Sequence, residues 1–129
     1  MNGLPHGKEA CFVQELVSIS PRSVLCRGRL PAGSPFAPGG RAPAFAALEF
    51  AAQAAALLGE GREGYLVRVR ELRMRRPSFG ADAELTAEVV QEGEAPPLAL
   101  FRASVRDGEG LILEGAFSVY LEAKKESDT

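Results

Sequence analysis

One stretch, residues 43–58 with the sequence PAFAALEFAAQAAALL, limits the fold more than any other part of the chain. Only Glu49 and Gln53 interrupt its apolar character. Alanine, leucine and glutamate favour a helix, Pro43 suits a first helical turn, and Gly59 follows its end. A membrane-spanning helix needs about 20 apolar residues, and this run is shorter and carries a carboxylate. We therefore predict a helix buried on nearly all sides inside a soluble fold.

Most of the remaining chain has the pattern of β-strands. Around Arg68, polar and apolar residues alternate as in a half-buried strand, and residues 107–110, DGEG, have the composition of a hairpin turn. One antiparallel sheet must then cover a helix that is apolar almost all round, so we predict an α+β fold whose sheet curls around the helix. The predicted strands are residues 10–19, 23–30, 65–75, 83–91, 98–106 and 111–121, with a polar loop at 92–97.

Length and charge set the wider class of protein. A chain of 129 residues suits a single domain, residues 1–129, whose polar tail at about 123–129 we expect to fray. Its 15 Lys and Arg against 17 Asp and Glu give a formal charge of -2, which argues against a nucleic-acid partner. The first residues contain no apolar signal-peptide core, so we expect a cytoplasmic protein without a membrane partner.

The sequence offers little for metal or cofactor chemistry. Cys11 and Cys26 belong to no Cys-x-x-Cys motif, and we expect two reduced, partly buried thiols. A closed zinc site needs four ligands, whereas the chain has 2 cysteines and 1 histidine. Gly59-Glu60-Gly61 follows a helix instead of preceding one, unlike a nucleotide-binding loop. We therefore predict no metal and no cofactor.

Glu49 and Gln53 are four residues apart and share one face of the predicted helix. A carboxylate in an apolar helix is costly to bury unless it is hydrogen-bonded or has a function. One interpretation is that this face meets solvent or a polar contact. The other starts from the Pro/Gly-rich loop 31–43, which ends at the helix N-terminus, where free N–H groups favour a developing negative charge. A carboxyl group one to two turns inside that terminus suits acid/base work beside an oxyanion site.

Four segments in order resemble the hotdog-fold β-hydroxyacyl-(acyl carrier protein) dehydratases. The likeness runs from residue 4 to about 121 and implies a curled antiparallel sheet around one long helix. The four segments are Leu4-Pro5-His6, Ser34-Pro35-Phe36, the P-x5-E-x3-Q pattern from Pro43 to Gln53, and RMRRPSFGAD from Arg73 to Asp82.

The chain departs from that family at the loop before the helix. The family's catalytic histidine belongs to a Gly-His-Phe-Pro-Gly type loop, but residues 36–42 read FAPGGRA and contain no histidine. His6, the only histidine of the chain, matches the opening motif instead. The shortened loop and the Ala/Gln-containing helix resemble the dehydratase-like branch associated with aryl polyene biosynthesis.

The resemblance implies an acyl-thioester-binding site. Glu49 matches the catalytic carboxylate, and His6 is either a displaced catalytic group or a structural residue of the opening turn. The substrate is expected on an acyl carrier protein or on coenzyme A. The residues that would bind it are Gln53 as a supporting amide, the loop residues Phe36, Gly39 and Gly40, and the backbone amides of Ala44 and Phe45.

Three functions stay open at this point. His6 or a partner subunit supplies the missing group of a 3-hydroxyacyl thioester dehydratase, or Glu49 activates water in an acyl thioesterase. Alternatively, the chain is a non-catalytic subunit of a homologous dehydratase. The resemblance also implies a homodimer or higher oligomer, or a hetero-oligomer with such a homologue, paired through a sheet edge.

Several arginines lie close together in residues 68–76. A solvated sheet face accounts for most of them. Guanidinium groups also bind phosphate well, so Arg73, Arg75 and Arg76 are candidates for docking an acidic carrier protein or a coenzyme phosphate.

Overall fold

An antiparallel sheet of six strands wraps around one helix. The computed structural model describes residues 13–59 and 64–122. The main sheet has the order β1-β2-β6-β7-β8-β4, and β3 pairs with β5 in a separate two-stranded sheet. The elements are β1 (Val13–Ser20), β2 (Ser23–Gly28), β3 (Arg41–Pro43), the helix α1 (Ala46–Ala56), β4 (Gly64–Met74), β5 (Ser78–Gly80), β6 (Leu85–Ala95), β7 (Leu98–Asp107) and β8 (Gly110–Leu121). The α+β class and the curled sheet around one helix are confirmed.

The six strands of the main sheet are the six that the sequence predicts, with shifts of a few residues at their ends. The predicted loop at residues 92–97 is wrong, because β6 continues to Ala95 and only Pro96-Pro97 turns the chain into β7. A register shift between Gln91 and Gly93 lets this polar segment stay paired with β7. A single bulge thus accommodates residues whose composition is typical of a loop.

The helix is shorter than predicted at its N-terminal end. It begins at Ala46 instead of Pro43 and ends at Ala56, where a 3-10 turn, Leu57–Gly59, continues it. Pro43 belongs to β3, where it lies opposite Ser78 of β5. The pairing of β3 with β5 therefore holds the chain extended up to Pro43, and the helix starts only after this strand.

The core lies between the helix and the concave face of the sheet. Seven of the 11 residues of α1 are buried, and the helix packs mainly on β6 and β7. The rings of Phe101 and Phe117 stack beneath it with centroids 5.8 Å apart. Among the described residues, no helix is long and apolar enough to cross a membrane.

The strand β4 is only partly covered by the helix. It lies at one end of the sheet, and no described strand pairs with its outer edge. Val69 and Met74 lie opposite the core residues Phe117 and Leu113, so they face the concave side. Both are nevertheless exposed, Met74 by 47%, and Val67, at a bulge in the same strand, is exposed by 52%. An apolar strip along β4 is thus left open to solvent.

Candidate functional site

The first turn of α1 offers unpaired backbone donors. Phe45 is the N-cap residue but has helical dihedral angles, and no side chain caps the helix. The Ala44 N–H donates to the Pro77 carbonyl at 2.9 Å, so this predicted donor is already engaged. Within the part of the chain that the structure describes, the N–H groups of Phe45 and Ala46 have no acceptor. The donors that can face an oxyanion are therefore those of Phe45 and Ala46.

The loop before the helix is tied to the segment that follows β5. The Ala81 N–H donates to the Gly40 carbonyl at 2.9 Å, and the Asp82 N–H donates to the Leu30 carbonyl at 2.7 Å. Gly39 and Gly40 have φ values of 72° and 84°, which favour glycine. These two residues therefore shape the loop through their backbone, in addition to the substrate contact expected of them.

Glu49 lies in the first turn of α1, four residues after Phe45, and is half-buried. Gln53, one turn further along, is completely buried in the core. Because 49 and 53 share a helix face, the amide and the carboxylate lie along one line that starts at the helix N-terminus. The helix start therefore brings one carboxyl group close in sequence to two N–H groups that have no acceptor among the described residues.

Two aromatic side chains near this turn are exposed. Phe45 is 54% exposed at the helix start, and Phe36 is 43% exposed in the loop. The backbone of Phe36 is fixed, since its N–H donates to the Ser34 hydroxyl at 3.1 Å and Ser34 itself is buried. Both rings are therefore available for apolar contacts outside the core.

The three arginines predicted for docking have different surroundings. Arg75 donates to Glu114 at 2.5 Å, and this hydrogen bond lowers the pKa of the Glu114 carboxyl. Arg76 is bound to Asp107 at 2.6 Å and is only 23% exposed. Arg73 has no hydrogen bond or salt bridge with any other described residue, and it lines a pocket of about 140 Å³ on the outer face. Among the described residues, Arg73 is thus the one of the three without a salt bridge, although its charge also helps to lower the pKa of Glu114.

The remaining residues considered in the sequence analysis are one histidine and two cysteines. His6 and Cys11 lie outside the described residues. Cys26 is a buried free thiol, and burial raises its pKa from 9.0 to about 11. A thiol with that pKa is a poor nucleophile at neutral pH. No group of three or more acidic, His or Cys side chains that could hold a metal occurs in residues 13–59 and 64–122.

Chemically, this arrangement suits a thioester. A thioester carbonyl that gains negative charge is stabilised by backbone N–H groups at a helix N-terminus. A carboxyl group within the same turn can transfer a proton to or from a neighbouring carbon or oxygen. The sequence matches the ApeP-like family model, described as ApeP dehydratase, over residues 2–128. The chain belongs to the ApeP-like dehydratase family.

Solved structures show the same fold at low sequence identity. The dehydratase heterocomplex ApeI:P from Xenorhabdus doucetiae is 20% identical over 94% of this chain and 89% of that chain, with a TM-score of 0.81. A hypothetical thioesterase with coenzyme A from Streptococcus pneumoniae is 13% identical, covering 87% and 88%, with a TM-score of 0.68. A Streptococcus mutans protein bound to acetyl coenzyme A is 10% identical, covering 87% and 90%, with a TM-score of 0.67. No curated protein matches the sequence.

Sequence reasoning missed the contacts that hold the site in place. Nothing local to Ala44 indicates that its amide is bound by Pro77, because the two residues are far apart in the chain. From the sequence, the segment that contains Arg76-Pro77 and Gly80-x-Asp82 has only a family resemblance. No structural role is predicted for it. In the structure the same segment supplies the Pro77 carbonyl, β5 and the Asp82 amide that fix the loop and the helix start.

Proposed function

We propose that this protein is a dehydratase subunit that acts on 3-hydroxyacyl thioesters, with Glu49 as an acid/base group. One observation carries the proposal. Glu49 is the sole carboxylate of an otherwise apolar helix, and it lies within one turn of the unpaired N–H groups of Phe45 and Ala46. Membership of the ApeP-like dehydratase family supports the same reaction class.

The proposed dehydration requires two proton-transferring groups and stabilisation of the thioester oxygen. Loss of water from a 3-hydroxyacyl thioester requires a base that removes the C2 proton and an acid that protonates the departing C3 hydroxyl. The electron pair of the C2–H bond becomes the C2–C3 double bond, and the C3–O bond breaks. Charge that develops on the thioester oxygen is stabilised by the Phe45 and Ala46 N–H groups. Glu49 performs one of the two proton transfers, so a second group is required.

We assign the second group to a homologous hotdog dehydratase chain that packs against β4. The apolar strip along β4, with Val67, Val69 and Met74 exposed, and the unpaired edge of that strand suit such a contact. The heterocomplex of two Ape proteins from Xenorhabdus doucetiae is consistent with this assembly. The substrate would be carried by an acyl carrier protein or by coenzyme A.

The proposal is tested by assaying the purified chain alone, a homologous hotdog dehydratase alone, and the two mixed. Each preparation receives a 3-hydroxyacyl thioester and, separately, a saturated acyl thioester on the same carrier. We expect enoyl thioester at a rate well above the sum of the separate proteins, and we expect Glu49→Gln in this chain to abolish the excess.

Other outcomes identify the other functions. Free thiol from the saturated thioester would indicate a thioesterase. An excess rate that is insensitive to Glu49→Gln would indicate a non-catalytic subunit. Enoyl product from the chain alone would mean that no second chain is needed, and loss of that product in His6→Ala would then assign the second group to His6.

A further inference from the structure

Arg76 is held in a partly buried contact with the hairpin between β7 and β8. Its Nη2 donates to the Asp107 carboxylate at 2.6 Å and to the Gly110 carbonyl at 3.4 Å, and its Nη1 lies 3.4 Å from Glu109. The Asp107 side chain is only 7% exposed. Asp107 also accepts the Glu109 N–H at 2.8 Å, so the hairpin between β7 and β8 presents it in a fixed position.

This ion pair is unlike the others on the sheet. It is the most buried salt bridge among the described residues, and the Nε–H of Arg76 is buried without an acceptor there. An unsatisfied buried donor costs free energy, typically about 1–3 kcal/mol. Arg76 is therefore fixed by the hairpin and is not directed towards solvent, where a carrier protein or a phosphate would meet it.

The backbone that follows Arg76 leads directly to the start of the helix. The next residue, Pro77, accepts the Ala44 N–H through its carbonyl at 2.9 Å. β5 then pairs with β3, which places Pro43 opposite Ser78. The helix has no side-chain cap of its own, so this segment sets where α1 begins.

We propose that Arg76 is a positioning residue for the candidate site. Anchored on Asp107, it holds the Pro77 carbonyl against the Ala44 amide, and this contact orients the unpaired Phe45 and Ala46 N–H groups relative to Glu49. The catalytic part of this inference rests on the proposed function. The structural part, that Arg76 fixes the helix start, does not.

The first test measures structure without activity. Amide hydrogen exchange is followed by NMR in wild type, Arg76→Met, Asp107→Asn and Arg75→Met. We expect the Ala44 amide to exchange about fivefold faster or more in the first two variants, as for the loss of one net hydrogen bond. The amide of Ala103 in the middle of the sheet should be unchanged. Arg75→Met is the matched control, because it removes the neighbouring arginine and its ion pair on the outer face.

Equal Ala44 exchange in wild type and both hairpin variants would overturn the inference, whatever the protein catalyses. If Arg76→Met does not fold, Asp107→Asn decides, because it keeps the size of the side chain and the acceptor for Glu109. Uniform acceleration of every amide, Ala103 included, would also count against positioning, since it would indicate only a loss of global stability.

The second test uses turnover of the 3-hydroxyacyl thioester by this chain mixed with the homologous hotdog dehydratase. Misplaced N–H donors stabilise the transition state less, while binding of the substrate in its ground state changes little. We therefore expect kcat to fall by about 10–100-fold in Arg76→Met with KM nearly unchanged. Arg76→Lys, which can still reach Asp107, should recover part of kcat. A raised KM with unchanged kcat and a weaker salt dependence would instead assign Arg76 to carrier docking. Absence of turnover in the wild-type mixture would refute the proposed function and leave the exchange result to decide on positioning.

Discussion

The helix face at Glu49 and the outer face of the sheet both carry carboxylates, but their surroundings differ. On the outer face, Arg102 binds Glu92 at 3.0 Å and Glu71 at 3.2 Å, and these contacts raise the pKa of its guanidinium. These three charges have opposite charges beside them and water around them. Glu49 instead belongs to a helix whose other residues are apolar, apart from Gln53.

This difference in surroundings shows which charged residues are useful indicators of a functional site. Exposed ion pairs are screened by solvent and contribute little each, so many arrangements of them are tolerated on a sheet surface. A carboxylate beside an apolar core is costly to keep unless it is hydrogen-bonded or has a function. The number of charged residues in a segment is therefore a weaker indicator of a site than the environment of one of them.

The largest effect that the comparison predicts is on turnover. Glu49→Gln keeps the size of the side chain and removes its proton-transfer ability, so the rate should fall by about 10²–10⁴-fold while the fold persists. Glu114→Gln on the outer face is the matched control and should leave kcat unchanged. Steady-state kinetics and circular dichroism of both variants provide the measurement. Equal turnover in Glu49→Gln and wild type would falsify the site assignment.

A second prediction tests whether the helix side of the sheet is closed to solvent. At pH 8, raising the pKa of Cys26 from 9.0 to about 11 reduces its thiolate fraction by about 100-fold, and burial blocks access further. In a Cys11→Ala background, a thiol reagent should label native protein at least that much more slowly than urea-unfolded protein. Rapid labelling of the native state would show that the core around Cys26 opens readily.

The third prediction concerns the contact between β8 and β4. A Cβ atom at Gly115 would overlap the Glu71 carbonyl oxygen and lie 3.2 Å from its carbonyl carbon. Gly115→Ala should therefore push β4 away from β8 and lower the free energy of unfolding by about 1–3 kcal/mol, as overpacking does. Gly108→Ala, where nothing lies within 4 Å, is the control. Urea denaturation of the two variants compares them, and similar midpoints would mean that β4 accommodates the methyl group.

The smallest expected effect is on the pH dependence of stability. Because Arg75 lowers the pKa of Glu114 below its ordinary value of 4.5, the pair stabilises the fold above that pH, and its contribution is lost as the pH falls through the lowered pKa. Glu114→Gln should thus be slightly less stable than wild type at pH 7 and converge with it in acid. A constant difference between the two midpoints from pH 7 to pH 3 would contradict this interpretation.

The sequence predicts the large elements well because they have clear patterns. Alternation around Arg68 and the apolar run at 43–58 each extend over enough residues to show a period. β3 and β5 have three residues each, which is too short to show a period, so the sequence does not predict their pairing. Because that pairing keeps Pro43 in a strand, the sequence does not predict the true start of the helix either. The sequence does not predict the bulge after Gln91 either, since the bulge depends on pairing with β7.

For the candidate site, spacing along one helix is the readable part. Glu49 and Gln53 are a helical turn apart, and that alone places them on one face. The engagement of the Ala44 amide by Pro77 and of Arg76 by Asp107 depends on residues about 30 positions away in the chain. Only the folded sheet brings those partners together, so neither contact could be predicted from the sequence.

The buried side of α1 consists largely of alanine, which affects the side-chain entropy lost on folding. Four of its buried residues, Ala47, Ala51, Ala54 and Ala55, have no side-chain rotamers. Ordering them on folding costs no side-chain entropy, and in return they cannot rearrange to make room for a guest molecule. Any space for an acyl chain beside this helix must therefore come from a shift of the whole helix or from its bulkier neighbours, Leu48 and Phe50.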